Sequence, residues 1–112
     1  MESVRQQKVS RLLQKEIGLI FQNQVSHLAL GKIVSVTVVR VTPDLSYARV
    51  YVSVFPDSDP QKAVDSFNAN IKEVTKVLYP RIKNQFRVMP DIRFYYDDSL
   101  DYADRINQIL PD

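Results

Sequence analysis

Two sets of basic side chains have the spacing needed to neutralise the phosphates of a nucleic acid. The first set recurs every three or four residues near the start of the chain and consists of Arg5, Lys8, Arg11 and Lys15. The second set surrounds a predicted helix break and consists of Lys72, Lys76, Arg81, Lys83 and Arg87. Cations that contact phosphates release condensed counterions, and this release provides much of the affinity of most nucleic-acid-binding proteins. The alternative for both sets is a solvated helix face, which is the commoner role of a charge run.

A third group combines tyrosines with arginines on predicted strands, and it consists of Tyr47, Arg49, Tyr51, Arg93 and Tyr95. These residues alternate with small or apolar ones, so they should share the open face of a sheet. Aromatic rings among arginines on a sheet can stack nucleic-acid bases, as in RRM domains. The chain lacks the RRM aromatic motif, however, and we predict three strands rather than four. Tyrosine also has a high strand propensity, so we favour a structural role for this group.

Acidic residues near the C-terminus raise the possibility of a metal site for a nuclease, and they are Asp97, Asp98, Asp101 and Asp104. Hard cations prefer clustered oxygen ligands. Acids at the start of a helix are also explained by capping and by the helix dipole, and we prefer that explanation. His27 is the only histidine, so no His-rich metal site is possible, and we expect it in a loop or at a helix end. We predict no metal, no cofactor and no catalytic residue.

The composition limits the classes of protein that this chain could be. Its 112 residues fit one domain, residues 1–112, and its formal net charge is +2. With no cysteine it has neither disulfides nor a thiolate nucleophile, which suits a reducing cytosol. Only Gly18 and Gly31 are glycines, so a Gly-rich phosphate loop is excluded. There is neither an apolar run of membrane-spanning length nor a signal-peptide pattern, so we expect a cytoplasmic protein without membrane contact.

The hydrophobic periodicity predicts a two-layer α+β domain. A helical apolar stripe begins after a cap at Ser3, and two β-branched runs flank turn chemistry at Pro43 and Asp44. Asp59 should cap a second helix that starts at Pro60, and Pro80 should interrupt that helix. In chain order we predict a helix at 3–24, strands at 33–41 and 47–55, a helix from 60 to the break, a short helix at about 81–85, a strand at 91–96, and a final helix capped by Asp98 or Ser99.

This order matches a type II KH-like domain (α-β-β-α-kink-α-β) with a short C-terminal helix, and four blocks resemble a known family more closely. The blocks are residues 5–10 (Arg-Gln-Gln-Lys-Val-Ser), 13–17 (Leu-Gln-Lys-Glu-Ile), 36–46 (Val-Thr-Val-Val-Arg-Val-Thr-Pro-Asp-Leu-Ser) and 90–100 (Pro-Asp-Ile-Arg-Phe-Tyr-Tyr-Asp-Asp-Ser-Leu). Together they resemble ribosome-binding factor A over nearly the whole chain.

The resemblance implies a small bacterial protein without catalytic activity. Such a protein binds the free small (30S) ribosomal subunit and assists late maturation of its 16S rRNA, including processing of the 5′ end. The family is associated with growth in the cold. The expected partners are the small subunit and its rRNA, and the expected state is a monomer. In KH folds the junction between the two central helices meets the nucleic acid, which favours an RNA-binding role for the second basic set. The resemblance itself favours that role for the first set.

One departure from the family concerns that junction. The family carries an Ala-x-Gly kink there, whereas the best alignment places Val74-Thr75-Lys76 at this position, so we predict that Pro80 makes the kink. Two other functions stay open at this point. One is a generic KH-like protein that binds single-stranded RNA, and the other is a metal-dependent ribonuclease that uses the aspartates near the C-terminus.

Overall fold

The computed structural model describes residues 2–56, 58–86 and 89–97. Its elements, in chain order, are α1 (Val4–Asn23), a short 3₁₀ helix (Ser26–Ala29), β1 (Ile33–Val41), β2 (Tyr47–Phe55), α2 (Pro60–Ala69), α3 (Ile71–Ile82) and β3 (Asp91–Tyr96). The three strands form one sheet in the order β1-β2-β3. The predicted α+β arrangement is therefore confirmed. The predicted C-terminal helix with its cap at Asp98 or Ser99 lies outside the described residues.

Helix α1 begins at the predicted cap. The Ser3 hydroxyl accepts the Gln6 N–H at 3.1 Å, and the Gln6 side-chain oxygen accepts the Ser3 N–H at 2.8 Å. This reciprocal pair satisfies two of the N–H groups that a helix start leaves free. The Gln6 side-chain amide also donates to the Val41 carbonyl at 2.8 Å. Gln6 therefore fixes the start of α1 to the end of β1.

Strands β1 and β2 form the predicted antiparallel hairpin. In its turn, the Asp44 carboxylate accepts the Thr42 hydroxyl at 2.8 Å, the Ser46 hydroxyl at 2.8 Å and the Ser46 N–H at 3.1 Å. These hydrogen bonds, the one from the Ser46 hydroxyl first, hold the pKa of Asp44 below its ordinary value of 3.8, because they favour the charged form. Leu45 adopts the left-handed conformation with φ 62°. The turn sets a register in which Val41 faces Ala48.

Strand β3 runs parallel to β2 and forms one edge of the sheet. Its outer side is partly covered by Asn68 of α2. The Asn68 amide nitrogen donates to the Phe94 carbonyl at 2.9 Å, and the Asn68 amide oxygen accepts the Phe94 N–H at 2.9 Å. Asn68 thus takes the place that a further strand would have at this residue.

One face of the sheet packs on the helices and forms the core. The rings of Phe21, Phe67 and Phe94, from α1, α2 and β3, meet at its centre, with centroids 4.5 Å apart for the first pair and 5.5 Å apart for the other two pairs. The inward residues of β2 that the alternation predicts, Ala48, Val50, Val52 and Val54, are all buried. The described helices leave the opposite face of the sheet open. The domain therefore has two layers.

The predicted position of the helix break is wrong. Helix α3 continues through Pro80 to Ile82, so there is no separate helix at 81–85, and the break between the central helices falls at Asn70. Pro80 is exposed and lies in the last turn of α3, where the missing N–H costs only the bond to the Lys76 carbonyl. The expected kink at Val74-Thr75-Lys76 and Pro80 is therefore wrong, because the break lies at Asn70, between Ala69 and Ile71.

Asn70 makes the break because it closes one helix and opens the next. Its N–H and its side-chain amide both donate to the Ser66 carbonyl, at 3.1 and 2.8 Å. Its own carbonyl accepts the N–H groups of Glu73 and Val74 at 3.0 and 3.2 Å. Its backbone angles, φ −112° and ψ 32°, are not helical. A side chain that hydrogen-bonds the backbone locally competes with the helical pattern, which favours a turn at Asn70.

The prediction that the Asp59 side chain caps α2 is also wrong. Asp59 does precede Pro60, which occupies the first helical position as predicted. Its backbone is left-handed, with φ 53° and ψ 58°, and its side chain makes no capping hydrogen bond. An N-cap residue normally has extended backbone angles, which direct its side chain toward the free N–H groups.

Candidate nucleic-acid interface

The basic set of α1 lies on the solvent side of the helix. Arg5, Lys8, Arg11 and Lys15 are all exposed. Three of them, Lys8, Arg11 and Lys15, are three and four residues apart, so they form one cationic stripe along the helix. Arg5 lies to one side of this stripe, in a cleft of about 550 Å³ that it lines together with Asp44 and Asp91.

The basic set of α3 does not surround a helix break, because the break lies further back at Asn70. Lys72, Lys76 and Lys83 are exposed and recur after four and seven residues, which places them on one side of a helix. Arg81 forms an ion pair with α1 instead of joining this row of lysines. Its Nε lies 2.8 Å from Oε2 of Glu16 on α1, whose side chain is only 13% exposed. Arg87 lies outside the described residues.

The ion pair between Glu16 and Arg81 bridges the two basic helices. Its geometry combines a charge with a hydrogen bond, which makes it stronger than an ordinary surface pair. Helices α1 and α3 pack directly against each other. The structure therefore brings the two cationic stripes, predicted from separate parts of the sequence, onto one helical layer.

A second cleft of about 450 Å³ lies between α3 and the edge of the sheet. Its polar walls are Lys72 and Thr75 from α3, and Tyr47, Asp91 and Arg93 from the strands. The cleft connects the cationic stripe of α3 with the open face of the sheet. It offers both cations and an aromatic ring.

The open face of the sheet carries the tyrosine and arginine group where the alternation predicts it. The hydroxyl oxygens of Tyr47 and Tyr95 are 2.7 Å apart, and the rings of Tyr51 and Tyr95 have centroids 5.6 Å apart. The hydrogen bond with Tyr95, followed by partial desolvation, raises the pKa of Tyr47 above its ordinary value of 10.0. The guanidinium of Arg49 lies 5.9 Å from the ring centroid of Tyr47.

The sequence reasoning missed one member of this face. Arg40 of β1 is the register partner of Arg49, and Arg49 is the partner of Arg93 on β3. The sequence does hold a signal for Arg40, because it alternates with the apolar residues Val39 and Val41. Its alignment with the other two arginines depends on the pairing of three strands, which alternation within one strand does not give.

The other expectations about chemistry concern His27, the aspartates and the membrane. His27 lies in the 3₁₀ helix, with Nε2 2.6 Å from Oε2 of Glu73 on α3. Asp97 contacts the Thr37 hydroxyl, while Asp98, Asp101 and Asp104 lie outside the described residues. Within residues 2–56, 58–86 and 89–97, no group of three metal-ligating side chains comes together. No helix in those ranges has the length and apolar character of a membrane span.

The element order α-β-β-α-α-β, with the third strand parallel to the second, defines a type II KH-like domain. Residues 5–110 match the family model described as ribosome-binding factor A. The chain belongs to the ribosome-binding factor A family.

Curated relatives and solved structures agree with this assignment. The chain is 43% identical over 110 residues to ribosome-binding factor A of Cytophaga hutchinsonii, an alignment that covers 98% of this chain and 83% of the relative. It is also 43% identical over 110 residues to the protein of that name from Chlorobaculum tepidum, with 96% and 89% covered.

Among solved structures, the crystal structure of ribosome-binding factor A from Thermus thermophilus matches with a TM-score of 0.68 and 19% identity, over 81% of this chain and 94% of that one. A homology model of the Thermus thermophilus protein, fitted into a cryo-EM map of its 30S complex, matches with a TM-score of 0.63 and 19% identity, over 80% and 91%. At these identities the two structures establish the fold.

Proposed function

We propose that this protein is a non-catalytic ribosome assembly factor of the bacterial cytoplasm. As a monomer it binds the free small ribosomal subunit and assists late maturation of 16S rRNA, including processing of the 5′ end. It acts by occupancy, since it holds the rRNA in a conformation that can mature and then leaves. The family membership supports this proposal, and so does the Thermus thermophilus relative that was fitted into a 30S complex.

The observation that carries the proposal is the joining of the two cationic stripes on one helical layer. Lys8, Arg11 and Lys15 of α1 stand beside the α3 stripe because Glu16 and Arg81 bridge the two helices. A surface of this kind suits the phosphates of folded RNA, since phosphate contacts position a protein without reading sequence. We assign RNA binding to the exposed cations of both helices and to Arg5 beside the α1 stripe. Arg87 stays a predicted RNA-binding residue outside the described part of the chain. In this scheme Arg81 mainly keeps the two stripes aligned.

The test reverses the charge of the α1 stripe. The variant Lys8→Glu/Arg11→Glu/Lys15→Glu replaces three attractions with three repulsions, so co-sedimentation with free small subunits should be lost. Exposed substitutions usually change stability by about 0.5 kcal/mol or less each, so the melting temperature should change little. The affinity of the wild-type protein should fall steeply with salt, because each phosphate contact releases counterions.

A single reversal provides the matched control. Lys8→Glu should weaken subunit binding, whereas Lys62→Glu, which reverses an exposed lysine on α2 away from both stripes, should not. Normal binding by the triple variant would move the RNA surface off α1. Tight binding to short free RNA with no preference for subunits would instead identify a generic single-strand binder. Magnesium-dependent cleavage of rRNA that is abolished in Asp98→Asn would identify a ribonuclease.

A further inference from the structure

One row across the open face of the sheet consists of arginines alone. Arg40, Arg49 and Arg93 are register partners on β1, β2 and β3, and all three are exposed. Neighbouring strands are only about 4.8 Å apart, and like charges directly opposite each other destabilise a sheet. A bound anion would relieve the repulsion within this row, so its arrangement points to an anionic ligand.

Two of these arginines have no anionic partner within the described part of the chain. Arg40 has Nη1 3.5 Å from Oε1 of Glu2. No carboxylate of residues 2–56, 58–86 and 89–97 forms an ion pair with Arg49 or Arg93. Asp91, at the start of β3, is the register partner of Tyr47 rather than of an arginine. Arg49 and Arg93 can therefore bind an external anion without first breaking an internal pair.

Tyrosines flank the arginine row on both sides. Tyr51 and Tyr95 form the next row, and their planes are inclined by 32°. Tyr47 lies on the other side of the arginines, yet its hydroxyl reaches that of Tyr95 at 2.7 Å. This hydrogen bond requires the two side chains to lean toward each other across the row. The hydrogen bond restrains the rings of Tyr47 and Tyr95, which lowers the entropy cost when a ligand stacks on them.

We infer that the open face binds a single-stranded segment of RNA, with Arg49 and Arg93 on phosphates and bases stacked on Tyr51 and Tyr95. Cations beside flat aromatic rings suit a nucleic acid, because every base has a face that can stack. An acidic peptide would use the arginines but not the rings. The inference deepens the proposed function, since the RNA would be rRNA. It also adds a second surface on the opposite side of the molecule from the helical stripes, connected to them through the cleft beside Lys72.

The first test locates the binding site directly. The full chain, labelled with ¹⁵N, is titrated with a short oligouridine RNA while backbone amide shifts are recorded. The largest shifts should fall on the open face, at Arg49, Tyr51, Arg93 and Tyr95. Shifts confined to α1 and α3, or no shifts at all, would overturn the inference. Equally tight binding of a polyglutamate peptide at the same residues would identify the face as a site for an acidic protein instead.

The second test separates charge from stacking. Arg49→Gln/Arg93→Gln should weaken oligouridine binding about tenfold or more, and it should reduce the salt slope of log K by roughly 0.7 for each phosphate that is no longer neutralised. Tyr95→Leu should weaken binding about fivefold or more, whereas Tyr95→Phe, which keeps the ring, should retain most of the affinity. A melting curve for each variant shows whether the fold is intact. Equal affinity of the Leu and Phe variants would overturn the stacking role.

Subunit binding distinguishes this inference from the proposed function. If only the helical surface contacts rRNA, the Arg49→Gln/Arg93→Gln variant binds subunits normally and the α1 triple variant does not. If only the open face of the sheet contacts rRNA, the α1 triple variant binds normally and the arginine double variant does not. If both surfaces contact rRNA, each variant weakens subunit binding and their combination weakens it further.

Discussion

The hydrogen-bonded pair between Asn68 and Phe94 allows a quantitative prediction. Asn68→Ala removes two hydrogen bonds of 2.9 Å, one to the N–H and one to the carbonyl of Phe94. Each such bond contributes about 0.5–1.5 kcal/mol net, so the free energy of unfolding should fall by roughly 1–3 kcal/mol. In a domain of this size that corresponds to a melting temperature lower by roughly 4–12 °C, to be measured by circular dichroism.

Two further variants make this prediction specific. Gln61→Ala removes an exposed amide from the same helix that bonds only the Asp65 side chain, so its free energy of unfolding should change by about 0.5 kcal/mol or less. Asn68→Asp keeps an acceptor for the Phe94 N–H but places a carboxylate opposite the Phe94 carbonyl, so at neutral pH it should be at least as destabilising as alanine. An Asn68→Ala variant with the same melting temperature as the wild type would show that water replaces both hydrogen bonds and that the reasoning is wrong.

Two other predictions concern the hairpin turn and the end of α3. The folded-state pKa of Asp44 is lowered, so its charged form stabilises the fold above its unfolded pKa of about 4, and this contribution is lost as the pH falls through the folded value. The stability difference between wild type and Asp44→Asn, followed by urea unfolding, should therefore be largest above pH 4 and shrink below it; a constant difference would contradict the role of charge. Pro80→Ala restores a donor inside α3, so the melting temperature should rise while helix content stays close to that of the wild type. A large gain of helix would mean that Pro80 does bend the chain after all.

The sequence predicts the strands and α1 well because their patterns are strong and local. Alternation in 47–55 and the apolar spacing along α1 each identify a buried face. The structure buries all four inward residues of β2, but of the predicted α1 stripe it buries Leu13, Ile17, Ile20 and Phe21 and leaves Val9 half-buried and Gln24 exposed. The helix break was misplaced because proline is the stronger local signal. Asn70 acts through its side-chain bond to the Ser66 carbonyl, and an isolated asparagine in a helical pattern gives little sign of this.

The candidate site was predicted only in part, for a related reason. Exposure of the cationic stripes follows from helical spacing. Their placement side by side depends on the packing of α1 against α3, which includes the ion pair between Glu16 and Arg81 and joins distant parts of the chain. The arginine row likewise requires the register of β2 against β3. Contacts between distant residues determine both surfaces, and periodicity along one element cannot reveal them.

The parallel pairing of β3 with β2 also has a consequence for the order of folding. The β1–β2 hairpin closes over a short turn, whereas β3 can reach β2 only after the chain has passed through all of α2 and α3. Contacts between distant segments form late, because the entropy of closing the loop must be overcome first. If the hairpin belongs to the folding nucleus, substitutions in its turn should mainly change the folding rate. Substitutions at the β3 edge should mainly change the unfolding rate. We therefore expect the strand that carries Arg93 and Tyr95 to complete the sheet last, so that the full arginine row forms only in the finished fold.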